Sequence, residues 1–270
     1  MKRVLATVAA AVATLTLAAG CGSSGDDNSA GSGSGSGASA SASSGGVSGT
    51  VTVFAAASLT ESFTTLGKQF EAAHPGTTVK FNFGPSSGLA ESINQGAPAD
   101  VFASASPTNM QQIVDAGGAS DSKTFANNVM QIAVPPDNPA SVTQVTDLAK
   151  SSVKVALCQP QVPCGKVAQE VFKKANITVK PVTEGADVKA VLTTVQLGEV
   201  DAGMVYQTDV QAAGTKVKGI VIPADQNAST SYPIASLTKA PNEAGAAAFV
   251  DYVLSPDGEK VLAQAGFAAP

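Results

Sequence analysis

From Gly49 onward, short runs of apolar and β-branched residues alternate with segments whose apolar residues recur at helical spacing. The run at 51–56 is typical of a buried strand. The segment after it places its apolar residues on one helix face: Leu59, Phe63, Leu66 and Phe70. Ser58 and Glu61 fit a capping box, which predicts that this helix begins at Ser58. The same alternation continues along the chain and predicts a mostly parallel sheet with helices on both faces.

The pattern predicts further strands at 78–83, 100–105, 129–134, 153–157, 202–206, 220–222 and 232–237. It predicts further helices from 86, from 107, at 165–175, around 188–195, at 243–254 and at 257–265. Because the rhythm restarts after 128, we predict two α/β lobes, one formed by 49–128 with 226–270 and the other by 129–225. Open α/β sheets bind ligands beyond the carboxyl ends of their strands, so the expected site is the cleft between the lobes.

The N-terminal residues differ from the rest of the chain. Residues 1–20 have Lys2 and Arg3 before a short apolar run, as in a secretory signal peptide. The small residues before Cys21 resemble a bacterial lipobox, which predicts a lipid-modified Cys21 anchored to the outer face of the cell membrane. An ordinary signal peptide followed by an unrelated Cys is the alternative. Residues 21–48 are mostly Gly, Ser and Ala, a composition typical of a flexible tether.

Composition narrows the function classes. A chain of 270 residues with 44% hydrophobic residues can form a substantial core. The net charge is −5, and the sole Arg lies in the predicted signal peptide. Nucleic-acid binding is therefore excluded, because phosphate backbones require clustered cations.

The two remaining Cys, Cys158 and Cys164, are predicted to form a disulfide in an exported chain. A zinc site is the alternative, but only His74 could add a nitrogen ligand.

Catalytic motifs are weak in this sequence. Residues 84–88 read Gly-Pro-Ser-Ser-Gly and match the nucleophile-elbow pattern around Ser86. The only His, His74, precedes Ser86, whereas hydrolases of this type place the His after the Ser. Residues 151–154 fit S-x-x-K without the companion motifs. We therefore expect no enzymatic activity and no cofactor, and a hydrolase using Ser86 is kept as a minor alternative.

Anion binding is better supported by the pattern. Four predicted helices begin directly after strands or turns, at Ser58, at Ser86, at Cys164-Gly165 and at Asp187-Val188. Helix N-termini present unsatisfied N–H groups, and serine hydroxyls can add neutral donors. Each Ser could instead be only a helix cap. A site made of donors without a cation favours a fully deprotonated oxyanion, whereas phosphate carries a proton near neutral pH.

Six short motifs occur in order along the chain: 53–60 (VFAAASLT), 96–105 (GAPADVFASA), 162–165 (VPCG), 186–189 (ADVK), 203–206 (GMVY) and 232–234 (YPI). Together they resemble the molybdate-binding proteins of ABC importers. The resemblance covers about residues 50–270. It implies a two-lobed periplasmic-binding-protein-like fold of type II, each lobe a mixed, mostly parallel sheet flanked by helices. It also implies a monomeric receptor that binds molybdate or tungstate and delivers it to a membrane permease.

The resemblance also implies a ligand set. The hydroxyl donors map onto Ser58 and Ser86, with Ser87 as an alternative one residue further on. Backbone donors from the opposite lobe map onto Cys164 and Val188, and a phenol maps onto Tyr206. Without the resemblance, Tyr206 could equally be a core residue. Molybdate would be bound as an oxyanion, with no direct bond from the protein to the metal. A receptor for sulfate or for an organic solute on the same fold is the alternative. Cavity size must separate molybdate from sulfate.

Overall fold

The computed structural model describes residues 47–270. Its strands are β1 (Gly49–Ala56), β2 (Thr77–Gly84), β3 (Val101–Ala103), β4 (Lys123–Val134), β5 (Val155–Cys158), β6 (Thr183–Gly185), β7 (Ala202–Tyr206), β8 (Lys218–Val221) and β9 (Ser229–Ser236). Its helices are α1 (Thr60–Ala73), α2 (Ser86–Asn94), α3 (Pro107–Asp115), α4 (Pro163–Lys174), α5 (Val188–Gln196), α6 (Gln207–Ala213), α7 (Glu243–Val253) and α8 (Pro256–Gln264). Short 3-10 helices span Ala57–Leu59, Val145–Ala149 and Gly214–Lys216.

The N-terminal predictions lie largely outside the described residues. These are the signal peptide at 1–20, the lipid-modified Cys21 and the tether at 21–48 up to residue 46. Within 47–270, no helix has the length and hydropathy needed to span a membrane.

The alternation of apolar runs and helical patterns predicts most of the observed elements. β7 has the expected bounds, and β4 begins six residues before the expected 129, at Lys123. The pattern misses β6 and α6. β6 is a three-residue strand, Thr-Glu-Gly, without an apolar run, and α6 has only two buried residues, Thr208 and Asp209, both polar. Elements that bury little apolar surface leave no periodic signal in the sequence.

The strands form one mixed sheet in the order β2-β1-β3-β9-β4-β7-β5-β6, with β8 also paired to β4. β1 pairs in parallel with β2 and β3, and β5 pairs in parallel with β6 and β7. The long strands β4 and β9 run antiparallel to each other and join these two parallel groups. The fold is therefore the predicted α/β class, with a mixed sheet flanked by helices.

Buried apolar side chains lie on two sides of the β4–β9 pair. Two clusters, drawn from 51–126 and 232–267, include Val53, Phe63 and Phe102, and we call this part the β1 side. Another cluster, drawn from 130–228, includes Val155, Val191 and Met204, and we call this part the β7 side. The two parts resemble the predicted lobes in extent, and the division into two mobile lobes stays a prediction.

The capping box predicted at Ser58 is wrong. The chain first forms a 3-10 turn over Ala57–Leu59, and α1 begins at Thr60 with no side-chain cap. The Ser58 Oγ lies 2.8 Å from the hydroxyl of Tyr232, which is fully buried on β9. A buried phenol needs a hydrogen-bond partner. The Tyr232 phenol therefore takes up the Ser58 hydroxyl, which a helix cap would have used.

Candidate functional site

A small cavity lies where strands from both sides of the sheet end and the following helices begin. β1 is followed by the 3-10 turn, β2 leads into α2, and β7 ends at Tyr206. The cavity has a volume of about 20 Å³. It is lined by Ala56, Ala57, Ser58, Gly84, Pro85, Ser86, Ala105, Val162, Pro163, Cys164, Asp187, Val188 and Tyr206. A cavity of this size is far smaller than the sites that enclose drug-sized organic ligands.

All five residues predicted as ligands line this cavity. They are Ser58, Ser86, Cys164, Val188 and Tyr206, and each is at most 5% exposed. Ser87, the alternative to Ser86, is partly exposed and does not line the cavity. Residues up to 148 positions apart, from four separate helix starts and one strand end, thus converge on one cavity.

The two serine hydroxyls are each hydrogen-bonded to a neighbouring group of the protein. The Ser86 Oγ accepts from the Ala105 N–H at 3.0 Å. The Tyr232 hydroxyl accepts from the Asn128 amide at 3.4 Å, so its own hydrogen is available to Ser58. A hydroxyl that accepts one hydrogen bond still has a hydrogen to donate. Both serines are therefore set to donate to a ligand in the cavity.

Tyr206 has an unusual hydroxyl. It is buried at the end of β7, and its oxygen has no hydrogen-bond partner within residues 47–270. Burial, with Tyr232 and Asp209 nearby, raises the pKa of Tyr206 well above its ordinary value, so the hydroxyl stays protonated. Leaving a buried hydroxyl unpaired costs about 1–3 kcal/mol, which an acceptor in the cavity would offset.

The β7 side adds main-chain donors from two helix starts. Val188 is the first residue of α5, and the Asp187 carboxylate caps the next two N–H groups, those of Lys189 and Ala190. This cap leaves the Val188 N–H available. Cys164 is the second residue of α4, which has no side-chain cap. N–H groups in the first turn of a helix have no partner within the helix, so both are available to an anion.

A disulfide joins Cys158, at the end of β5, to Cys164, at the start of α4. It closes the short loop that precedes the helix. The next residue, Gly165, lies against the carbonyl of Gln159 so closely that a Cβ would overlap with it. The loop and the first turn of α4 are therefore packed tightly beside the cavity, and this packing orients the Cys164 N–H.

No Lys is among the residues that line the cavity, as expected for a site made of neutral donors. A cation nevertheless lies next to it. Lys189 forms ion pairs with Glu61 at 2.7 Å and with the fully buried Asp209 at 3.1 Å. Burial raises the pKa of Asp209 to about 6, and the nearby Lys189 opposes this rise. Asp209 also accepts from the Tyr206 N–H at 3.1 Å.

Sequence reasoning missed four residues that support the site: Tyr232, Glu61, Lys189 and Asp209. Tyr232 and Glu61 have partners 174 and 128 positions away, at Ser58 and Lys189, and local patterns carry no signal of such pairs. Tyr232 and Lys189 lie in two of the six family motifs, but the resemblance gives neither residue a role. Asp209 lies in α6, a helix that the sequence pattern does not predict. Only an alignment of related sequences could have linked these positions.

The arrangement does not support the hydrolase alternative. His74 ends α1, where its Nδ1 lies 3.1 Å from the Phe70 carbonyl oxygen and its ring packs on Phe70. Ser86 hydrogen-bonds to the Ala105 N–H and lacks the imidazole that a nucleophilic serine requires. Within 47–270, no group of three or more His, Cys, Asp or Glu residues could hold a metal ion.

The comparisons with known proteins identify the class. Residues 51–268 match the family model described as "Bacterial extracellular solute-binding protein". The chain belongs to this family. Its members are extracytoplasmic receptors and not enzymes, which confirms the predictions of a non-enzymatic protein outside the cytoplasm.

Within that class, the chain is similar to proteins named for molybdate. It is 40% identical over 222 residues to the molybdate-binding protein ModA of Mycobacterium tuberculosis, covering 82% of this chain and 85% of the relative. The structure matches the periplasmic molybdate-binding protein of Azotobacter vinelandii with a TM-score of 0.73 and 20% identity, covering 82% of this chain and 99% of that one. The resemblance read from the six motifs is confirmed.

A second solved structure has the same fold. The sulfate-binding protein SubI of Mycobacterium tuberculosis matches with a TM-score of 0.73 and 19% identity, covering 82% of this chain and 86% of that one. At this identity the match shows the fold alone. The fold class predicted from the sequence, a periplasmic-binding-protein-like α/β fold, is confirmed by both structures.

Proposed function

We propose that this protein is a receptor that binds molybdate, and also tungstate, in the cavity between the β1 side and the β7 side. The Ser58, Ser86 and Tyr206 hydroxyls and the Cys164 and Val188 N–H groups are the donors. The observation that carries the proposal is the unpartnered Tyr206 hydroxyl, buried in a cavity of about 20 Å³ whose other polar groups are set to donate. The oxyanion is held through its oxygens, with no bond from the protein to the metal and no other cofactor.

The chemistry of the donors supports a fully deprotonated oxyanion. The five proposed groups are set to donate. The one carboxylate in the lining, that of Asp187, accepts the Lys189 and Ala190 N–H groups through a single oxygen, Oδ1. A protonated phosphate would also need an acceptor, and the five donors do not supply one. Relatives named for molybdate at 40% identity over most of the chain favour molybdate among the remaining oxyanions.

Sulfate is the second candidate. It is fully deprotonated at neutral pH and would suit the same donors. The shared fold with a sulfate-binding protein supports this alternative, whereas the more similar relative is named for molybdate. Because the donors do not distinguish the two anions, the discrimination must come from the size of the cavity.

We also propose how the receptor works in the cell. A lipid on Cys21 holds it outside the membrane, the tether at 21–48 lets it move there, and it delivers its ligand as a monomer to the permease of an ABC importer. The signal-like residues 1–20 and the small residues before Cys21 support the anchor. Mass spectrometry of the N-terminal peptide tests the lipid, and Cys21→Ala should release the protein from the membrane fraction.

Thermal unfolding of the purified protein tests the ligand. Molybdate, tungstate, sulfate and phosphate are added in parallel at equal concentration. A ligand at about 1,000 times its Kd adds about 4 kcal/mol to the free energy of unfolding, a shift in Tm of several degrees. We expect this shift with molybdate and tungstate only. An equal shift with sulfate would favour the second candidate, and no shift with any of the four would refute an oxyanion receptor.

A further inference from the structure

Three charged residues next to the cavity form a continuous ion-pair cluster. The Lys189 Nζ lies 2.7 Å from the Glu61 Oε2 and 3.1 Å from the Asp209 Oδ1. Glu61 belongs to α1 on the β1 side, whereas Lys189 and Asp209 belong to α5 and α6 on the β7 side. Among the three ion pairs within residues 47–270, the pair of Lys189 with Glu61 is the one that joins the two sides.

Each member of the cluster is close in sequence to a cavity-lining residue. Lys189 directly follows Val188. Glu61 lies one helical turn after Ser58, and Asp209 lies one turn after Tyr206, whose N–H donates to its carboxylate at 3.1 Å. The cluster therefore links the backbone segments that hold three of the five proposed donors.

The charges of the cluster argue against a direct role in holding the anion. One ammonium faces two carboxylates, so the cluster is net negative when all three are ionised. Asp209 is fully buried, Lys189 is 23% exposed and Glu61 is 53% exposed. The Lys189 ammonium therefore lies within ion-pair distance of a buried carboxylate on its own side and of a partly exposed one on the opposite side. Lys189 is not among the residues that line the cavity.

We propose that Lys189 is a positioning residue that, through its ion pair with Glu61, holds the β1 side and the β7 side together around the bound anion. This inference rests on the proposed function, because it assigns the pair a role in oxyanion affinity. The ligand contacts donors on both sides, so any interaction made only when the sides meet favours the bound state. Opening the cavity would expose Lys189 and break this pair.

Glu61→Gln gives a test in which two effects have opposite signs. Removing a negative charge near an anion site should strengthen anion binding by simple Coulomb attraction. Removing an ion pair that favours closure should weaken it. We expect weaker molybdate binding, by about two- to fivefold, as is typical of a partly exposed ion pair. If Glu61→Gln binds molybdate more weakly than wild type, the change in net charge is therefore not the cause.

Glu170→Gln is the matched control, because Glu170 is an exposed residue of α4 that makes no ion pair within 47–270. It removes the same charge and should leave the Kd unchanged or slightly lower. Calorimetry with molybdate is performed at about 0.02 M and about 0.5 M salt, since salt screens exposed pairs. The difference between wild type and Glu61→Gln should shrink at the higher salt concentration.

A double-mutant cycle completes the test. On a Lys189→Gln background, Glu61→Gln should no longer weaken molybdate binding, because its partner is absent. If wild type binds molybdate and Glu61→Gln binds equally or more tightly, the positioning role is refuted while the receptor function stands. If wild type binds none of the four oxyanions, the receptor function fails and the inference falls with it.

Discussion

The β1 side and the β7 side contribute different chemistry to the same cavity. The β1 side offers the side-chain hydroxyls of Ser58 and Ser86, each already engaged by a neighbouring group of the protein. The β7 side offers two main-chain N–H groups at helix starts and the Tyr206 phenol, which has no hydrogen-bond partner in the described part of the chain. Substitutions can remove the hydroxyls, whereas most substitutions leave main-chain donors in place. The two sides should therefore respond differently to mutation.

The largest effect is expected for Tyr206→Phe. It removes a buried side-chain donor that has no hydrogen-bond partner within residues 47–270. Hydrogen bonds to charged groups are worth about 1.5–3 kcal/mol, so molybdate affinity should fall by about 10- to 100-fold. The unliganded protein should be equally stable or slightly more stable, because an unpaired hydroxyl is lost. Calorimetry and thermal unfolding measure the two effects, and unchanged affinity would contradict the role of Tyr206.

Ser86→Ala and Ser58→Ala should weaken molybdate binding by about tenfold each, the lower end of the same range. Unlike Tyr206→Phe, they should also destabilise the unliganded protein by about 1 kcal/mol. The reason is that the Ala105 N–H or the Tyr232 hydroxyl loses its partner. Ser87→Ala is the control, since Ser87 does not line the cavity. A Ser87→Ala variant with the larger loss would shift the assignment to that residue.

A main-chain donor can be removed at Val188. Proline is tolerated at the first residue of a helix and lacks an N–H, and Asp187 already has the extended backbone that a following proline requires. Val188→Pro should keep α5 and weaken molybdate binding by about fivefold, with neighbouring N–H groups compensating in part. Val188→Ala loses the side chain but keeps the donor, so its Kd should stay within about twofold of wild type.

Circular dichroism checks that Val188→Pro retains its helices, and calorimetry gives both Kd values. Equal affinities for the proline and alanine variants would refute the Val188 N–H as a donor. A large loss in both would mean that the side chain, which is buried in the core of the β7 side, controls the site.

Local patterns in the sequence predict the parts of the site that depend on local structure. Ser86 and Val188 follow from helix starts. Tyr206 is assigned by the family resemblance, and its place at the end of an apolar strand agrees with that assignment. The contacts of Ser58 do not follow in this way, because its partner Tyr232 is 174 positions away. The pair of Glu61 with Lys189, 128 positions apart, is equally invisible. Topology creates such pairs, and a single sequence records only the residues.

The smallest effect on binding is expected from the disulfide between Cys158 and Cys164. Its role is to orient the first turn of α4, and the Cys164 N–H survives when the bridge is broken. A bridge that closes so short a loop adds about 2 kcal/mol to stability in the chain-entropy model. Replacing both Cys with Ser should therefore lower the Tm by several degrees, while the Kd for molybdate rises by about two- to threefold because the donor is less well oriented. Reductant should lower the Tm of wild type and leave the double variant unchanged. A loss of affinity as large as that of Tyr206→Phe would mean that the β7 side depends on this bridge as much as on its phenol.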